Sequence, residues 1–307
     1  MVKKHKDKVM HDLWIIMTAS LVAASTALVG SFLVLRRQSM IGDAISHSVL
    51  LGLVLAFLIT DSRSMLVMLT GAVMIGLVTA WLSEMLNQLG KLQVDASIGI
   101  VFTLFFSIGV ILVSLYADHL DFDRDHIIYG EITFIPFDTI IWGSMKDGID
   151  LGPRAFWVIA TVFMIVLLSI TLGFERFKTV TFQPSLAISL GINVVFWNYF
   201  LMTLVSMTAV ASFDAVGAIL VVALLVIPAS SAYLVAKSLK SMLIIAVGYS
   251  QVAVILGYSV AYWLDSSISA SIAVSAGVLL FITIIVQQWK KKGQQEFDEL
   301  QALPKAQ

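Results

Sequence analysis

The sequence predicts an all-α, polytopic membrane protein, and three observations carry that prediction. Of the 307 residues, 59% are hydrophobic and only 13% are charged, with a mean hydropathy of +0.95; soluble domains carry about 25% charged residues. The charges cluster between long apolar runs, most of them near the ~20 residues a helix needs to cross the hydrocarbon core. Those runs are continuous, whereas a transmembrane β-barrel shows alternating segments of about 10 residues. The net charge of −1 offers no global field for nucleic acid. The absence of cysteine excludes disulfides, thiolate metal sites and cysteine nucleophiles.

Taken in order, the chain opens with Lys3, Lys4, His5, Lys6 and Lys8, a basic N-terminus over 1–12 that the positive-inside rule assigns to the cytoplasm. The first apolar run, Leu13 to Leu35, is too long for a signal peptide and lacks a convincing cleavage site. Further runs follow at 44–60, 64–86, 96–116, 155–174, 193–211, 213–236, 241–264 and 268–288. The stretch 126–145 is broken by Gly130, Glu131, Pro136 and Asp138. It reads as a short or broken spanning helix, or as a re-entrant one.

Counting that stretch gives ten crossings; omitting it gives nine. Ten is preferred, because it places Arg63, the Glu175-Arg176-Phe177-Lys178 loop, Lys237, Lys240 and Lys290-Lys291-Lys292 inside with the N-terminus. Its cost is that Arg36, Arg37 and Lys91 fall outside. Nine crossings put two basic chain ends on opposite faces. The transmembrane domain is then 13–288, followed by a polar cytoplasmic tail over 289–307.

The chemistry concentrates in Gly42-Asp43-Ala44-Ile45-Ser46-His47-Ser48. On a helix Asp43 and His47 stand one turn apart on one face, and a carboxylate with a neutral imidazole can bind one divalent cation. Ionisable groups inside a span mark ion pathways. The same residues also read as a polar helix start, with Asp43 as a cap and His47 bonded to a carbonyl. Asp118, His119, Asp121, Asp123, Asp125 and His126 form the densest ligand cluster. It is not an EF-hand, because counting from Asp121 the sixth and twelfth positions hold His126 and Ile132 rather than Gly and Glu. It reads as a solvated loop, or as a gating, accessory-metal or partner-contact element. Glu131 reads as a helix cap or a further pathway ligand.

Over 182–191, Pro184 suits the first turn of a short helix and Gly191 its end. Pro228 lies deep in an apolar run and removes one backbone hydrogen bond there; Ser230 and Ser231 are placed to satisfy freed carbonyls. The proline is a hinge or a static kink. Asp214, near a span end, reads as interfacial. No Walker A, HExxH or GxSxG pattern occurs, so enzymatic chemistry has little footing.

Two motifs resemble one family. Arg37-Gln38-Ser39-Met40-Ile41-Gly42-Asp43-Ala44-Ile45-Ser46-His47-Ser48 is similar to the GDALSHA-type motif of permeases in zinc- and manganese-type ABC importers. Val216 to Ala232, with Val226-Ile227-Pro228-Ala229, looks like that family's "vGxxLvvALLiiPAaxA" segment. Asp95-Ala96-Ser97-Ile98-Gly99-Ile100 also fits, and His119 to Ile132 looks more like the manganese branch.

The resemblance implies a type II importer-like permease in a prokaryotic cell membrane, paired with a second copy or paralogue. It implies two cytoplasmic ATP-binding subunits that hydrolyse the ATP, and an extracytoplasmic metal-binding protein. The cargo would be Mn²⁺ first, Zn²⁺ or Fe²⁺ next, with no permanently bound cofactor. A symmetric pair would bring two Asp43 and two His47 to one axis. Residues 182–191 would form the coupling helix, docking through Leu186 and Leu190. The rival readings are a proton-coupled secondary metal transporter, which needs no ATPase, and an intramembrane hydrolase.

Overall fold

The computed structural model describes residues 2–61, 64–116, 132–142 and 149–302. Among the described residues eleven α-helices follow one another: α1 (Val2–Leu35), α2 (Met40–Thr60), α3 (Met65–Gly90), α4 (Val94–Tyr116), α5 (Arg154–Leu172), α6 (Phe174–Phe182), α7 (Pro184–Ser189), α8 (Val194–Val216), α9 (Ala218–Val235), α10 (Leu239–Leu264) and α11 (Ile268–Ala302). Between α4 and α5 lie a 3₁₀ turn (Ile132–Phe137) and two short antiparallel strands, β1 (Thr139–Trp142) and β2 (Ile149–Pro153).

Among the described residues nine helices are long and apolar enough to cross a membrane: α1 to α5 and α8 to α11. This is the lower of the two expected counts. The preferred tenth crossing fails because the described part of 126–145 is not α-helical. Pro136 lacks a backbone donor and sits in the 3₁₀ turn, and Ile141 and Trp142 pair across to Asp150 and Ile149. The all-α expectation therefore gains one small hairpin. A lone two-stranded hairpin is marginal in water; this one leans on the bundle, with the Trp14 ring packed over Gly152 and edge-on to Phe156 at 5.2 Å.

Contacts between distant segments fix which helix ends share a face. At one end lie Trp14 with Phe156, and Ser269, whose hydroxyl donates to the Val216 carbonyl at 3.1 Å. At the other end Arg36 donates to Thr181 and Asn198, and Gln38 to Glu84. Helix α1 thus runs from the hairpin end to the α6–α7 end. It is the central helix, 67% of its apolar window being buried, whereas α4 is the most open span at 17%.

Backbones approach closely where side chains are small, as membrane helices require. A Cβ on Gly52 would collide with the backbone of Ala72, and one on Gly71 with Ala56, so α2 and α3 cross in near contact. The carbonyl of Leu225 on α9 presses on Gly30 of α1, and its side chain covers Gly42 of α2. Phe32, Phe177, Ile45, Leu201, Leu220 and Leu224 are fully buried in the core these helices enclose.

Candidate functional site

Helix α2 begins at Met40, so Asp43 lies in its first turn but is not its cap; Ser39 holds that position and makes no side-chain capping bond. Gly42, Ala44, Ile45, Ser48 and Val49 are buried, leaving Asp43 and His47 on the opposite, open side. His47 Nε2 lies 3.6 Å from Asp43 Oδ1, with side-chain exposures of 45% and 33%. That separation is too long for a hydrogen bond, so the two groups stand side by side facing one space.

Two phenylalanines of α4 hold the imidazole. Phe102 lies nearly parallel to it at 5.6 Å and Phe106 edge-on at 5.7 Å. Behind the pair, Thr79 of α3 donates to the Ser48 hydroxyl at 2.9 Å, and the Ser46 hydroxyl donates to the Gly42 carbonyl at 2.7 Å. Local polar groups are therefore occupied with the helices themselves. Among the described residues no group of three or more His, Asp, Glu or Cys comes together; Asp43 and His47 are two side chains of metal-compatible type on the open side of α2.

The other residues singled out in the sequence are placed as follows. Asp121, Asp123, Asp125, His126 and Glu131 lie outside the described residues. Pro184 is the first residue of α7. Gly191 closes that helix in the left-handed region (φ +74), with Gly191 N–H bonded to the Ile188 carbonyl and Ile192 N–H to Ala187; this is the Schellman pattern, which favours glycine. Ala187 is buried while Leu186, Ile188 and Leu190 project outward, so Ile188 joins the two leucines named from sequence.

Pro228 is buried inside α9. Its missing N–H would have served the Leu224 carbonyl. Ser231 does not take over that role; its hydroxyl donates to Ile227 at 2.9 Å. Asp214 stands in electrostatic reach of Arg154 and Asp138 at the hairpin end.

One residue escaped the sequence reading. Arg36 appeared there only as a charge on the wrong side of the membrane. It is half-buried between helices: Nη1 donates to Asn198 Oδ1 at 2.8 Å, and Nε and Nη2 both donate to Thr181 Oγ1 at 3.3 and 3.2 Å. Burial lowers its pKa to about 10, with Glu84 opposing the shift, so it remains a cation at neutral pH. A cation directly after a long apolar run was the available signal.

Comparisons with known proteins identify the family. The manganese transport system membrane protein MntD of Bacillus subtilis (strain 168) is 44% identical over 267 residues, covering 87% of this chain and 89% of MntD. The zinc transport system membrane protein TroD of Treponema pallidum (strain Nichols) is 39% identical over 271 residues, covering 88% and 72%. Among solved structures, PsaBC from Streptococcus pneumoniae in complex with Fab matches with a TM-score of 0.73 at 29% identity, over 92% of this chain and 95% of that one. The model of the ABC 3 transport family matches residues 8–287. The chain belongs to the ABC 3 transport family.

Proposed function

We propose that this chain is the membrane-spanning permease of an ATP-driven importer for a divalent transition metal, Mn²⁺ ahead of Zn²⁺ or Fe²⁺. The observation that carries the reading is the Asp43–His47 pair: two metal-compatible ligands, one turn apart, half-open to the free side of a spanning helix. The names of MntD and TroD, manganese and zinc transport proteins, support the cargo class. Imidazole and carboxylate suit either ion, so ligand type does not choose between them.

Two ligands hold an ion too loosely to strip its hydration. A second copy or paralogue, bringing its own pair to the same axis, doubles the set while keeping release fast. The open face of α4 beside His47 is suited to that role. Cytoplasmic ATP-binding subunits would dock on α7 through Leu186, Ile188 and Leu190, and an extracytoplasmic metal-binding protein would deliver the ion.

The charge distribution supports the orientation. Arg36, Arg37, Lys91, Arg176, Lys178, Lys237, Lys240 and Lys290 to Lys292 all belong to the α6–α7 end. The positive-inside rule makes that end cytoplasmic. Arg36, Arg37 and Lys91 then cease to be exceptions, and the start of α1, expected in the cytoplasm, goes to the outer face.

The test is uptake of radiolabelled Mn²⁺ and Zn²⁺ by cells carrying the complete transporter, with the unmodified chain and His47→Ala at matched membrane levels. Loss of uptake in the variant supports the site. Normal uptake removes it, and uptake that persists without the ATP-binding subunit favours a secondary transporter.

A further inference from the structure

A half-buried guanidinium lies between the α1–α2 elbow and the helices on either side of α7. Arg36 reaches Thr181 near the end of α6, three residues before Pro184 opens α7, and Asn198 in the first turns of α8. The carbon chain of Arg36 emerges from the end of α1, and α2 begins four residues later. The turn between them is stiff. Gln38 N–H bonds to the Leu33 carbonyl at 2.9 Å and Arg37 N–H to Val34 at 3.1 Å, a Schellman closure with Arg37 in the left-handed region at φ +58. Ile41 N–H then bonds to the Gln38 carbonyl at 3.1 Å, and the Gln38 side chain donates to Glu84 at 3.4 Å.

A left-handed backbone is strained for any residue but glycine, and such strain persists only where the surroundings over-determine it. The elbow therefore moves as a piece with the start of α2, and Asp43 is one turn further on. Planar, forked donors such as guanidinium fix geometry in a way that a lysine ammonium does not.

We propose that Arg36 is a positioning residue that links α6 and α8, the helices on either side of α7, through Thr181 and Asn198, to the helix bearing Asp43 and His47, so that movement of α7 carried by its two neighbours reaches the metal pair through this bridge. The proposal rests on the reading of α7 as the ATPase-docking helix and of Asp43–His47 as the ion site. Arg36 touches no ion. Its role is to make the α1–α2 elbow follow α6.

The experiment uses the complete reconstituted transporter, and the chain's lack of cysteine allows a single reporter. Ser46→Cys places a thiol on the neighbouring flank of α2, beside the Asp43–His47 pair, and its maleimide labelling rate is measured with and without ATP plus vanadate. With the bridge intact, the rate changes several-fold on nucleotide trapping. Thr181→Val, which removes the accepting hydroxyl, and Arg36→Lys, which removes the fork, reduce that change below twofold. Thr181→Ser, which keeps the hydroxyl, restores it.

In parallel, Mn²⁺ uptake per ATP hydrolysed falls at least tenfold in Thr181→Val and Arg36→Lys, with hydrolysis itself within twofold of the unmodified complex. The Arg36→Lys, Thr181→Val double variant is no worse than either single one. A nucleotide response of unchanged size in both single variants overturns the proposal, as does loss of hydrolysis and uptake together. Because the labelling readout needs no metal, a transporter that fails to carry Mn²⁺ or Zn²⁺ sinks the cargo assignment while the bridge is still decided.

Discussion

The carbonyl oxygen of Leu225 occupies the space into which residue 30 would project a Cβ. Backbone meets backbone there, so α9 and α1 have no flexible atoms to yield. One turn away Pro228 removes the hydrogen bond that would hold the Leu224 carbonyl in line, and the chain at Leu225 is pressed directly against the central helix.

Gly30→Ala should therefore destabilise strongly, by about 3 kcal/mol or more, at the upper end of what overpacking costs. The thermal midpoint of the purified variant in detergent and its membrane level are the readouts; an unchanged midpoint would contradict the contact. Gly42→Ala meets only the methyl ends of the same leucine and should cost far less.

On α8, Thr208 and Ser212 stand one turn apart, fully buried, and neither hydroxyl has a hydrogen-bond partner among the described residues. Most other helical serines and threonines here donate to a carbonyl three or four residues back. Replacing an unsatisfied buried hydroxyl with an apolar group of the same shape is neutral or stabilising. Thr208→Val should raise stability by up to about 1 kcal/mol, measured as a shift in the thermal midpoint. A clear drop would show that the hydroxyl has a partner.

Ile188 is the most exposed of the three apolar side chains on and beside α7, at 67% against 46% for Leu186 and 63% for Leu190. Ile188→Glu should leave the permease folded, since surface changes away from special features stay within about 0.5 kcal/mol. Co-purification of the ATP-binding subunit should fall at least fivefold. Retained co-purification would move the docking surface off this helix.

Asp43→Asn keeps shape and removes charge. With the carboxylate one-third exposed, folding should change little, whereas uptake at limiting Mn²⁺ should fall at least tenfold and recover in part at high metal concentration. Equal loss at all concentrations would argue for a structural role.

What the sequence made legible was what depends on short spacing. Asp43 and His47 share a face because a helix repeats every 3.6 residues, and Pro184 and Gly191 bracket a helix because their backbone preferences act locally. Arg36 was illegible because its partners are 145 and 162 residues away, and no local pattern pairs a threonine and an asparagine with it. The hairpin after residue 138 was missed because its apolar, aromatic composition suits a strand as well as a span. That single ambiguity had a large effect, since one crossing too many reverses the orientation of every helix before it.

The nine spans among the described residues have a consequence for biosynthesis. In the proposed orientation Lys3, Lys4, Lys6 and Lys8 must leave the cytoplasm, each against a potential worth about 2.3 kcal/mol per charge per 100 mV. Asp7 and Asp12 offset part of that cost. What holds the first helix in register is its other flank, where Arg36 and Arg37 stay behind. The arginine assigned to coupling in the mature transporter would thus also act, while the chain is being made, as the anchor that decides which way its first helix points.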